Sequence, residues 1–218
     1  MTYKEIVKDE EVRELLRKGN DNLGLLGYTD HSAAHCTRVG ENAAYILEKF
    51  GYDKHDIELA RIAGYMHDIG NTVNRTDHAQ SGGLMAFQIL TRLGLAPEET
   101  ALIASAIGHH DEGTAAPVNA VAAALILADK SDVRRSRVRN REFVAADIHD
   151  RVNFAAQKSE LRLNKEEKTI ILKVSIDTEI CAVMDYFEIF LTRMVLCRRA
   201  AEALHLKFEL LINNSRLL

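Results

Sequence analysis

Residues 119–132, NAVAAALILADKSD, are apolar on almost every side of a helix. A stretch with no polar face predicts a central buried helix, enclosed by other helices. Its charged residues, Asp129, Lys130 and Asp132, all fall near one end, and a carboxylate beside a sealed apolar core is costly unless something pairs with it. The uninterrupted apolar run, 120–128, is well short of the ~20 residues a membrane-spanning helix needs. A chain of 218 residues can enclose such a helix in one core, or in one core with an appendage.

The enclosing helices follow from periodicity. Ile6, Val12, Leu15 and Leu16 recur at helical spacing over 2–18, and Gly19 with Asn20 is expected to stop that leading helix. Asp30 is the expected cap of a helix that runs to Phe50 and ends on Gly51. Further helices are expected at 56–67, with Leu59, Ile62, Ala63 and Met66 as the buried stripe, at 78–93, and at 97–110, where Pro97 opens the first turn. From about 150 the apolar period changes to two, through Val152 and Phe154, Leu161 and Leu163, then Ile170, Leu172, Val174 and Ile176. This predicts a small antiparallel meander with a turn at 164–168. A long last helix, capped by Asp177 or Thr178, is expected to reach about 212. The expected fold is therefore mainly α: a helical core over 1–148, with a β meander and C-terminal helix over 149–218 packed on it.

Seven of the nine histidines lie between residues 31 and 110. His67 and Asp68 put an imidazole beside a carboxylate at the end of a buried helix. Taken alone, such a doublet is more often a surface cap. Its neighbours change that reading: His31 and His35 share a helical face at i and i+4, His109 and His110 end another helix, and Asp129 lies in the apolar one. A divalent ion held by imidazoles and carboxylates would satisfy that buried charge.

These residues resemble the HD superfamily of metal-dependent phosphohydrolases. The family pattern is a first His, a His-Asp doublet and a distant Asp, matched here by His35 in HCTRV (35–39), by GYMHDIGN (64–71) and by Asp129 in LADKSD (127–132). The resemblance extends to the dinuclear branch related to HD-GYP proteins, in which a later His and a His-His pair add a second metal. His78 in HAQSG and His109-His110 in GHHDEG match those positions. It implies an HD-domain helical bundle in which His35, His67, Asp68, His78, His109, His110 and Asp129 hold two divalent transition ions. His109 is expected to lead the pair, with His110 joining only where the helix is ending, because adjacent helical residues diverge by about 100°. Nitrogen-rich ligation favours Mn, Fe, Ni or Zn. A water between two ions bridged by Asp68 would be the nucleophile towards phosphorus. The chain departs from the branch in two places: 113–117 reads Gly-Thr-Ala-Ala-Pro without the Gly-Tyr-Pro tyrosine, and Asn71 stands where the family has a lysine. His31 lies where some relatives place a Glu ligand, and is read as a ligand, a proton carrier or a packed residue.

Residues 134–141, RRSRVRNR, follow Asp129 closely, and Arg134, Arg137 and Arg141 would share a face if the helix continued. Arg134 and Arg137 are expected to bind substrate phosphate, with a solvated helix as the alternative, and Lys130 to act in the catalytic site beside Asp68 and His31. The expected activity is hydrolysis of a phosphomonoester or phosphodiester, on a nucleotide or other small phosphate ester. The alternatives are a di-iron oxygenase of the myo-inositol oxygenase type, with a similar ligand set, and a non-catalytic metal- or nucleotide-binding regulatory module. With 28 basic against 32 acidic residues the net charge is -4, which predicts no nucleic-acid or anionic-membrane partner. The charged N-terminus lacks the apolar stretch of a signal peptide, so a cytoplasmic location is expected. Cys36, Cys181 and Cys197 are odd in number without a CxxC pair, which argues against a disulfide framework or thiolate zinc. The apolar stripe of the last helix is expected to serve as core or as a homodimer seam.

Overall fold

The structure, a computed structural model, describes residues 1–139 and 148–217. A short α1 (Tyr3–Ile6) leads into α2 (Glu10–Leu25), which does not stop at Gly19 as expected but runs through it. Gly19 is there for proximity, since a Cβ on it would lie 3.1 Å from the Thr72 nitrogen and 3.2 Å from Asn71. α3 (Ala33–Phe50) begins after Ser32 rather than Asp30, and Gly51 ends it in the left-handed conformation. α4 (Lys54–Met66) is capped by the Asp53 side chain and passes into a 3-10 turn, Ile69–Thr72. α5 (His78–Arg92), α6 (Pro97–Gly108) and α7 (Ala120–Lys130) complete the core.

α7 is the expected central helix. Every residue from Val121 to Ala128 is buried, and α3, α4, α6 and a later helix pack around it. α3 and α4 cross with their backbones touching: a Cβ on Gly64 would sit 2.6 Å from the Gly40 Cα, and one on Gly40 would sit 2.6 Å from the Arg61 carbonyl oxygen. That contact pulls the start of α3 and the end of α4 together at one end of α7.

Beyond the core the sequence reading needs three corrections. Val152 and Phe154 belong to a helix, α8 (Ile148–Ala155), in which Val152 and Ala155 are buried at helical spacing; the Arg135 guanidinium covers Phe154 at 4.6 Å. β1 (Ala156–Asn164) and β2 (Thr169–Ile176) form the expected antiparallel hairpin. The last helix, α9 (Val183–Ala203), starts later and ends earlier than expected, because His205 takes a positive φ of 59° and turns the chain into β3 (Lys207–Ile212). β3 pairs with β2 in parallel, which α9 makes possible as the crossover, and β4 (Ser215–Arg216) closes a mixed sheet in the order β1-β2-β3-β4. Tyr186, Phe190, Met194 and Cys197 turn the inner face of α9 into core, whereas Met184 and Leu191 remain exposed. Among the described residues no helix is long and apolar enough to cross a membrane.

Candidate metal centre

Helix ends build the site. His35 stands in the first turn of α3, His67 closes α4 with Asp68 directly after it, His78 opens α5, His110 lies just past α6, and Asp129 is in the last turn of α7. Each of these is nearly sealed from solvent; the largest side-chain exposure, that of Asp129, is 12%.

The atoms converge in two sets. His35 Nε2 lies 3.4 Å from Asp129 Oδ1 and 3.7 Å from Asp68 Oδ2, and His67 Nε2 lies 3.2 Å from Asp68 Oδ2 and 3.8 Å from Asp129 Oδ1. On the other side of Asp68, Oδ1 lies 3.7 Å from His78 Nε2, which is 3.2 Å from His110 Nε2. His35, His67 and Asp129 could hold one ion, and Asp68, His78 and His110 another.

The tautomers decide what these sets want. His67 Nδ1 donates to the Gly64 carbonyl at 2.7 Å, His78 Nδ1 to that of Arg75 at 3.0 Å, His110 Nδ1 to that of Ile107 at 2.6 Å, and His35 Nδ1 to Asp132 Oδ2 at 2.7 Å. A carbonyl or an ionised carboxylate only accepts, so each Nδ1 carries the proton and each neutral ring presents a bare Nε2 lone pair. Those lone pairs point at one another and at carboxylate oxygens, an arrangement that repels unless a cation lies among them. Among the described residues, His35 Nε2 and Asp68 Oδ2 are buried without a hydrogen-bond partner. Among the described residues, the one donor facing the His78 and His110 nitrogens is Arg75 Nη1, 3.3 Å from His78. The residues therefore fit a bound divalent metal, with second-layer acceptors fixing the ring orientations.

The electrostatics agree. Burial alone would lower His67, but Asp68 and Asp129 outweigh it and raise its pKa, so the set draws a proton when no other cation is offered. Burial opposes the charge on Asp68 and Asp129 too, yet His67 and His31 for the first, and Lys130 and His35 for the second, hold both carboxyls well below their usual range. His110 is pushed down to about 3 by burial and then by the charge of His67, which keeps it neutral and ligand-ready. Cys36 lies within reach of His67 and Asp68, but burial and the two aspartates push its thiol well up, so it remains a thiol rather than a thiolate ligand.

A cavity of about 500 Å³ opens onto this cluster. His31 lines it, with Nδ1 donating to the Thr29 carbonyl at 2.8 Å so that Nε2 is left as an acceptor. Lys130 also lines it, its Nζ 2.8 Å from Asp129 Oδ2. The structure corrects the expectation for the histidine pair. His109 turns away, Nδ1 donating to the Ser105 carbonyl at 2.8 Å, and it is His110 that meets His78, because α6 has ended at Gly108 and the chain rotates the second imidazole inward. The arginine run is corrected as well, since α7 stops at Lys130 and, among the described residues, no continued helix carries it. Arg134 does not line the cavity; its Nε and Nη2 grip Asp132 at 2.5 and 2.9 Å. Arg137 does line it, from a short 3-10 turn, Arg135–Arg137, while Arg141 lies outside the described residues.

Several contributors were not singled out from the sequence. Asp132 braces His35, and its place three residues after Asp129 was the available signal. Asn71 donates to Asp68 Oδ1 at 2.7 Å, orienting the carboxylate from the position where the resemblance expects a lysine. The cation expected there comes instead from Arg75, four residues on, and Arg193 enters from α9 with no local sequence signal.

A family model described as the HD domain matches residues 33–188. The chain belongs to the HD domain family. A curated relative, the uncharacterised protein MJ1020 of Methanocaldococcus jannaschii, is 25% identical over 202 residues, covering 82% of this chain and 77% of its own length. A crystal structure of a predicted HD superfamily hydrolase from an uncultured Thermotogales bacterium is 25% identical with a TM-score of 0.45, over 57% of this chain and 67% of that one.

Proposed function

We propose that this protein is a metal-dependent phosphohydrolase acting on a small phosphate ester. The observation that carries the reading is the set of imidazoles whose Nδ1 atoms are all committed elsewhere, so that their Nε2 lone pairs converge on Asp68 and Asp129 beneath a cation-lined cavity. His35, His67 and Asp129 would hold one divalent ion, His78 and His110 a second, with Asp68 reaching both through its two oxygens. When bound, such ions supply a water acidic enough to attack near neutral pH and neutralise charge on the phosphoryl oxygens. The chain's own residues do the rest. Lys130, held by Asp129, is placed to bind a phosphoryl oxygen, and Arg137 brings a planar donor to the wall of the same cavity. His31 Nε2 is an acceptor on the cavity wall, placed to take a proton from a water there. A cavity of about 500 Å³ suits a nucleotide-sized ligand.

Elemental analysis of protein purified without chelator, followed by a panel of phosphomonoesters and phosphodiesters under each of Mn, Fe, Ni and Zn, tests it. Two ions per chain and hydrolysis that Asp68→Asn abolishes together with both ions is the expected result. One ion per chain would show that the second set is not a metal site. Consumption of oxygen with no phosphate released would replace the hydrolase with an oxygenase.

A further inference from the structure

Resting on the hydrolase reading, we propose that α9 completes the cavity with a second anion subsite, formed by Arg193 and Arg137, so that the substrate carries a phosphoryl group besides the one cleaved. Arg193 is pinned at one edge only: Nε donates to Glu112 Oε1 at 2.7 Å, and the guanidinium lies over the Phe190 ring at 4.4 Å. These contacts fix its plane, while Nη1 and Nη2 make no hydrogen bond among the described residues. Arg137 reaches the same cavity from another element. Its Nε and Nη1 donate to the carbonyls of Asp30 and Asp132, each at 2.9 Å, which leaves Nη2 without a hydrogen bond among the described residues. Two planar forks with spare donors, held from behind, suit the several oxygens of one phosphoryl group.

Their position argues against the group at the metal ligands. Asp129 Oδ2 is 2.8 Å from Lys130 Nζ, Lys130 is 3.7 Å from Glu112, and Glu112 is 2.7 Å from Arg193. Arg193 is thus the outer rung of a ladder whose inner rung is a ligand, and Lys130 already serves the inner phosphoryl. Charge points the same way. The lining holds four cations, Arg75, Lys130, Arg137 and Arg193, and of its four carboxylates Asp68 and Asp129 belong to the ligand sets. Asp111 and Glu112 alone do not offset the rest. Arg137 is near enough to Arg193 that, after burial, the latter's charge helps lower its pKa, and an anion between them would relieve that repulsion.

The test is calorimetric titration of the metal-loaded protein with propylphosphonate, which has one phosphoryl-like group, methylenediphosphonate, with two adjacent ones, and propane-1,3-diylbisphosphonate, with two separated ones. At least one bisphosphonate should bind about tenfold or more tightly than propylphosphonate. Which of the two does so distinguishes a polyphosphate chain from two separate esters. Arg193→Gln should bring that ratio close to one with propylphosphonate affinity unchanged, and Arg137→Lys, which keeps the charge but loses the fork, should reduce it. Equal affinities in the unmodified protein, or a ratio that survives Arg193→Gln, overturns the subsite while the hydrolase reading stands. Failure of all three to bind loaded protein overturns both.

Discussion

His67 is held between two demands. Its Nδ1 is committed to the Gly64 carbonyl, so any proton gained goes to Nε2, between Asp68 and Asp129, where a metal would bind. Because the folded pKa is raised, the proton competes with metal at a higher pH than it would for a free imidazole. Apparent metal affinity should therefore keep rising as pH increases past about 6.5, the ordinary imidazole value, and level off only above the raised pKa. Titrating metal into chelator-treated protein between about pH 5.5 and 8.5 checks this, and an affinity flat across that window would contradict the assignment of His67 as a ligand. Asp132 makes the complementary case, since it touches His35 rather than the cavity. Its carboxylate accepts from His35 Nδ1, and His35 together with Arg134 and Arg137 overrides burial to hold it well below the usual range. Asp132→Asn should cost roughly 10- to 100-fold in metal affinity through loss of that brace, measured by competition with a chromophoric chelator, while the fold survives.

At the level of elements, the centre depends on how closely α3 and α4 approach. The Gly40–Gly64 contact brings His35 and His67 to one ion, and the Gly64 carbonyl also fixes the His67 ring. Gly64→Ala would force a methyl group into the Gly40 backbone, where no flexible side chain can yield. It should destabilise the fold by about 1–3 kcal/mol, seen as a lowered denaturation midpoint, and should reduce bound metal even where the protein remains folded. A variant with unchanged midpoint and full metal content would show the contact to be slack. Most of the helices that carry this arrangement were readable from periodicity and caps, because amphipathic or wholly apolar stripes are local signals. The failures were of a different kind. Val152 and Phe154 looked alternating because a helix eight residues long, Ile148–Ala155, offers too few positions to separate the two periods. The end of α9 was hidden because Phe208, Leu210 and Ile212 continue an apolar pattern while His205 reverses the backbone without a glycine to mark it. His109 and His110 came out in the reverse of the expected order, since which of two neighbours turns inward depends on where α6 stops. Arg193 was beyond reach, because only the packing of α9 on α7 brings it to a cavity whose other walls lie far upstream.

For the molecule as a whole, the centre joins the ends of α3, α4, α5, α6 and α7, elements otherwise held by apolar packing along their lengths. Without a cation the two buried aspartates and the converging nitrogens oppose this closure, and an ion that binds only the folded chain turns that opposition into stability. At a free metal concentration of about 100 times Kd the gain is about 2.7 kcal/mol per ion. For a chain of this size each kcal/mol moves the melting temperature by roughly 2–4 °C, so removing one such ion with a chelator should lower Tm by about 5–10 °C, and a second ion should add to that shift. Differential scanning calorimetry of chelated and metal-replete protein gives the answer. The same measurement on Asp68→Asn separates the carboxylate's own contribution from metal binding. Replacing the carboxylate removes a ligand, so the variant should be less sensitive to chelator than the unmodified protein, and because His67 and His31 favour the ionised Asp68 in the fold, its metal-free Tm should lie at or below that of the stripped original. A variant that remains just as chelator-sensitive would mean that Asp68 does not hold the ion.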